Sequence, residues 1–164
     1  MYIEWRFNDE AKGISLEEFE RDYEDFFGYM MLKLGDYQLG WAEKSCPIDE
    51  GDDDISYYIN SLIKCGIAML KYQDYKVHLL GSNLLEIRTH RCEYDNINIT
   101  VFRIDTKKIV YSYEITYREL IDEINENYKK YINGIQEMNR ELLESKTVRN
   151  TIKYYDAFIR LLGW

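Results

Sequence analysis

Between residues 75 and 115 the chain reads as four consecutive strands with nothing helical between them. That run constrains the fold more than any other feature. The alternating stretches are 75–80, 84–91, 97–104 and 108–115, broken at 81–83, 93–96 and 105–107 by turn-favouring residues such as Gly81, Asn83, Asn96 and Asp105. Strands this close together form an antiparallel meander, because parallel neighbours need crossovers of a dozen or more residues. Val77 with Leu79, Leu85 with Ile87, and Ile109, Tyr111, Tyr113 and Ile115 mark inward faces. Lys76, His78, Glu86 and Arg88 fall on the opposite side, as in a sheet with one wet face.

Residues 2–7 also alternate, with Ile3, Trp5 and Phe7 on one side, and predict a strand. Ser15-Leu16-Glu17-Glu18 is a capping box that predicts a helix with Leu16, Phe19, Tyr23 and Phe26 or Phe27 inward and Gly28 at its end. Gly35-Asp36 between 29–34 and 37–43 fits a two-residue type II′ hairpin. Residues 46–54 read as a loop. From Asp53 to Tyr72, apolar residues recur every three or four positions (Ile55, Tyr58, Ile59, Leu62, Ile63, Ile67, Leu70), and Asp52, Asp53 and Asp54 supply a cap. Thr116-Tyr117-Arg118-Glu119 is a second capping box before a long helix, and a final helix spans about 147–162.

The order is therefore β-α-β-β-α-β-β-β-β-α-α. It predicts one α+β domain over residues 1–164, with a mainly antiparallel sheet of about seven strands packed with four helices. A single proline, Pro47, and the lack of a Pro/Ser-rich linker argue against a second domain. The start of the chain has an early acid and no long apolar core, unlike a signal peptide. No apolar run approaches a membrane span. Three widely spaced cysteines, Cys46, Cys65 and Cys92, read as reduced thiols, and a cytoplasmic setting is expected. High Ile, Lys, Asn and Tyr with little Ala suggests an AT-rich, bacterial genome.

The net charge is −9 and unevenly spread: residues 1–60 hold 16 acids and 5 Lys/Arg, residues 61–164 hold 14 and 16. Such a field repels nucleic acid and anionic membrane and steers cationic partners; it also serves solubility alone. Chemistry is sparse. There are two histidines, and no nucleophile elbow, phosphate loop or dinucleotide fingerprint. His90 and Cys92 share a strand face, but two ligands are not a metal site, and Cys46, Cys65 or His78 would have to converge on them. Asp49-Glu50-Gly51-Asp52-Asp53-Asp54 lacks the spacing of a calcium loop, so it reads as a solvated loop and helix cap or as a partner-binding loop. No catalytic residue, metal or cofactor is expected.

The 16 tyrosines include several beside acids: Tyr23 among Glu20, Asp22, Glu24 and Asp25, and Tyr57 after Asp52, Asp53 and Asp54. Tyr offers rigid contact area with a polar tip, and with acids it suits a Lys/Arg-rich partner. Half-buried helical tyrosines have the same spacing. The partner-binding candidates are Glu20, Asp22, Tyr23, Glu24, Asp25, Asp49, Glu50, Asp52, Asp53, Asp54 and Tyr57.

The opening strand Tyr2-Ile3-Glu4-Trp5-Arg6-Phe7, the hairpin Leu34-Gly35-Asp36-Tyr37-Gln38-Leu39-Gly40-Trp41, the acid-capped helix from Asp53, and the late meander with two closing helices together resemble the immunity proteins of bacterial polymorphic toxin systems. The resemblance is architectural and spans the whole chain. It implies a small cytosolic protein that binds and blocks a cognate toxin, here a basic one, without turnover and without binding nucleic acid or membrane. It sets no oligomeric state. Two other readings stay open: a phage- or plasmid-encoded nucleic-acid mimic that fills a DNA-binding groove, and an enzyme or small-ligand domain with a pocket built from distant residues.

Overall fold

The alternation at residues 2–7 becomes strand β1 (Tyr2–Phe7), with Trp5 buried and Tyr2 exposed. The computed structural model describes residues 1–40, 53–78 and 84–163. Ser15 starts the first helix as expected, its Oγ accepting from Glu18 N at 3.2 Å. Helix α1 (Leu16–Glu18) then widens into a π-helical turn, Phe19–Tyr23, and stops there.

Gly28 does not end that helix. It lies in β2 (Phe27–Leu34), paired with Phe7 of β1. A methyl group at Gly28 would sit 2.1 Å from Arg6 O, so the glycine permits close approach of two strands. The hairpin to β3 (Tyr37–Gly40) is as expected: Leu34 pairs with Tyr37, and Gly35 has φ +57° while Asp36 is not in the positive-φ region. These are the signs of a type II′ turn. The chain returns to β2 at a two-residue strand, β4 (Asp53–Asp54), where Asp54 pairs with Phe27 and Asp53 with Gly28. Asp54 then caps α2 (Ile55–Leu70), Oδ1 accepting from Tyr57 N at 2.8 Å. The helix thus starts two residues later than its periodicity implied.

Strands β5 (Tyr75–His78), β6 (Leu85–Arg91), β7 (Asn96–Arg103) and β8 (Lys108–Thr116) form the expected meander, antiparallel throughout. The fold is α+β, with four helices and eight strands among the described residues. The strands divide into two four-stranded sheets: β1-β2-β3 with β4 also on β2, and β5-β6-β7-β8. Thr116 forms a complete capping box with Glu119 at the start of α3 (Tyr117–Asn139). Ser145 caps α4 (Lys146–Leu162), and Gly163 closes it with φ +78°.

Helix α2 packs against β2 of one sheet, β5 and β6 of the other, and both α3 and α4. The core is one cluster drawn from Trp5, Met30, Leu32 and Leu34, from Ile97, Ile99 and Val101, and from the inner faces of α2, α3 and α4. The β2–β3 turn closes one end, where Tyr37 stacks on Tyr111 with ring centroids 4.9 Å apart.

Two side chains of the meander depart from simple alternation. Glu86 shares a sheet face with Lys76 and Arg88 but is 3% exposed, because Arg88 Nε pairs with its carboxylate and His78 Nδ1 lies 3.8 Å away. Ile109, expected inward, is 63% exposed. A bulge between Val101 and Phe102 inserts Val110 into the ladder, which turns Ile109 to the side shared with Phe102.

Candidate acidic binding surface

The acids of residues 20–25 fall on and after the π-helical turn. Glu20 and Glu24 are exposed; Asp25 is half-buried. Glu24 closes the turn with φ +62°, unusual for a side chain with a Cβ. The N-terminal turn of α4 meets this segment. Lys146 N donates to Glu20 Oε1 at 2.6 Å, and Thr147 Oγ1 donates to Glu24 O. Between them lies a polar hollow of about 280 Å³, lined by Phe19, Glu20, Glu24, Asp25, Lys146, Thr147 and Asn150.

The β2–β4 pairing brings the second acidic group to the first. Ile55 N donates to Phe26 O at 2.9 Å, and Phe26 N donates to Ser56 Oγ at 3.2 Å, which holds residues 25–28 against 53–56. The charge of Asp25 consequently reaches Asp54. Burial pushes the Asp54 carboxyl up to about 6, the hydrogen bond from Tyr57 N opposes this, and the Asp25 charge adds to it. Asp25 is likewise raised by burial, with the Thr147 hydrogen bond opposing and the Glu24 charge adding. Beneath them, Ser56 Oγ and Tyr131 OH lie 3.1 Å apart in a buried polar layer that includes Thr151.

The other candidates lie as follows. Asp22 is held by the adjacent Arg21 in two hydrogen bonds, 2.9 and 2.7 Å, which neutralises it and lowers its carboxyl from the ordinary range. Tyr23 is half-buried and lies parallel to Phe19, centroids 6.4 Å apart. Tyr57 reaches towards the meander, its hydroxyl 3.4 Å from His78 O. Asp53 is half-buried in β4. Asp49, Glu50 and Asp52 lie outside the described residues.

Lys146, Thr147 and Asn150 were not foreseen as part of this surface. The signal available was Ser145 as a helix cap three residues before Val148, which places the α4 N-terminus earlier than residue 147. Among the described residues no Lys or Arg side chain forms an ion pair with Glu20, Glu24, Asp25 or Asp54. The surface can therefore accept cationic groups, at Glu20 and Glu24 from open solvent and at Asp25 from the hollow. Neither histidine lines the hollow.

His90 is occupied on another face, with Nδ1 2.5 Å from Asp74 Oδ1. Cys65 is buried against Thr89, and burial pushes its thiol up to about 11. No three His, Cys, Asp or Glu side chains among the described residues are arranged to hold a metal ion. No helix among them is long and apolar enough to cross a membrane. Comparisons with protein-family models, curated proteins and solved structures find no match to this chain.

Proposed function

We propose that this protein is a non-enzymatic immunity protein of the bacterial cytoplasm, which binds a basic cognate toxin and blocks it sterically and electrostatically. The observation that carries the reading is the gathering of Glu20, Glu24 and Asp25 around one polar hollow beside Asp54, with no Lys or Arg side chain among the described residues paired to them. Carboxylates that sit together without a paired side-chain cation give a directed field for Lys and Arg of a partner. Their confinement to the junction of the π-helical turn, β4 and α4 supports a basic protein partner over a DNA groove, which calls for carboxylates spaced like phosphates along a face.

The test is to mix or co-express the protein with a toxin encoded beside it. The expected result is a stoichiometric complex and loss of toxicity. Binding of a genuine neighbouring toxin no better than a control protein overturns the reading.

A further inference from the structure

We propose that an apolar cavity between the two sheets is a binding site for one small, wholly apolar group. The cavity has a volume of about 70 Å³ and lies where Ile3, Met30 and Leu32 of the first sheet face Ile87 and Ile99 of the second across α2. A cavity of ~150 Å³ accommodates benzene, so this one suits a group of about three or four carbon atoms, or a single xenon atom.

The lining sets the chemistry. Four of its polar side chains are bonded within the lining. Cys65 Sγ and Thr89 Oγ1 are 3.3 Å apart, Thr89 Oγ1 donates to Tyr75 O at 3.3 Å, and Ser61 hydrogen-bonds with the Tyr75 side chain. No charged side chain lines it. A water molecule needs two to four polar partners to reside in such a space, and the surface these walls turn to it is almost wholly apolar. A ligand with a charged or hydrogen-bonding head would be equally unmatched.

Small side chains keep the space open. Ser61, Cys65, Val77 and Thr89 stand in the lining where one further methylene from any of them would begin to fill it. Protein interiors seldom leave voids larger than a water molecule. Ile3, Leu62, Val77 and Ile87 are only half-buried, so the space opens towards the surface on one side, and Met1 and Met30 supply unbranched side chains able to adapt to an occupant. The site is separate from the acidic surface and does not depend on its proposed role.

Xenon is the probe, read by methyl NMR of the full chain under increasing gas pressure. The expected result is saturable shifts confined to the methyl groups of Ile3, Met30, Ile87 and Ile99. Val77→Ile and Cys65→Met, which reduce the space from two sides, should weaken or abolish them. Shifts that stay linear in pressure, or scatter evenly over the protein, overturn the proposal. So does unchanged xenon binding in the folded variants. If Cys65→Met does not fold, Val77→Ile and the wild-type titration still decide.

Discussion

Trp5 of β1 donates its indole N–H to Asn127 Oδ1 of α3 at 2.8 Å, across 122 positions of chain. Both residues are buried, and Asn127 Nδ2 donates in turn to Glu123 O at 2.9 Å. Lys130 of the same helix lies 4.3 Å from the Trp5 ring centre and donates to Trp5 O. One aromatic side chain thus has its polar atom satisfied, its ring covered by a cation and its backbone carbonyl bonded, all from α3. Replacing Asn127 by Ala strands the indole N–H in the core. The expected loss of stability is about 1–3 kcal/mol in urea unfolding, and Trp5→Phe combined with it should cost less than the two changes added separately. Strict additivity would show that the hydrogen bond does not couple them.

At Gly66, α2 is packed tightly against side chains of α3 and α4. A methyl group there would lie 2.4 Å from Ile124 Cδ1 and 2.8 Å from Phe158 Cε2. Ala is the better helix former, so propensity alone predicts stabilisation by about 1 kcal/mol. Overpacking should win: Gly66→Ala is expected to destabilise by roughly 1–2 kcal/mol net, measured as a lower urea midpoint. A raised midpoint would mean that Ile124 and Phe158 relax without cost.

Asp54 makes stability depend on pH in a definite direction. Its folded pKa of about 6 lies above that of an unfolded Asp, near 3.9. The folded state therefore favours the protonated form, and this contribution is fully present below about pH 4 and lost as pH rises to about 6. Asp54→Asn keeps a good N-cap without the charge. It should flatten the fall in stability across that window and leave the variant more stable than wild type at pH 7. Equal slopes in the two proteins would show that Asp54 titrates normally. Asp25 is shifted in the same direction, so Asp25→Asn should act with the same sign.

Glu20→Gln together with Glu24→Gln removes two exposed charges while preserving size. With a basic partner, association should slow and its dependence on salt should weaken, while dissociation changes less. Stopped-flow mixing at several ionic strengths reads both. An unchanged salt dependence would place the interface elsewhere on the molecule.

The elements that depend on neighbours in sequence were legible from sequence. The cap at Ser15, the box at Thr116 and Glu119, the Gly35-Asp36 turn and the period of α2 each need only a few adjacent residues, and each is present. Gly28 was misread because a glycine that ends a helix and one that admits a neighbouring strand are the same letter. The difference lies in Arg6 O, 22 positions away. Division of the strands into two sheets was hidden for the same reason, since the inner faces of both read alike. Residues 20–25 announced themselves by charge. Their counterpart in α4 did not, because Glu20 and Lys146 are 126 positions apart and nothing in the spelling of either links them.

The meander of β5 to β8 is complete within about forty consecutive residues, whereas β1 is bound to partners in α3 more than a hundred positions later. On a ribosome β1 leaves the tunnel well before the α3 residues that seal it. Local pairings form faster than distant ones because they close shorter loops. The second sheet can therefore pair its strands while the first still waits with Ile3, Trp5 and Phe7 uncovered. Docking of α3 onto β1 closes the longer loop and is expected to follow the pairing of the second sheet, and until then the apolar side of β1 is the surface a chaperone would meet.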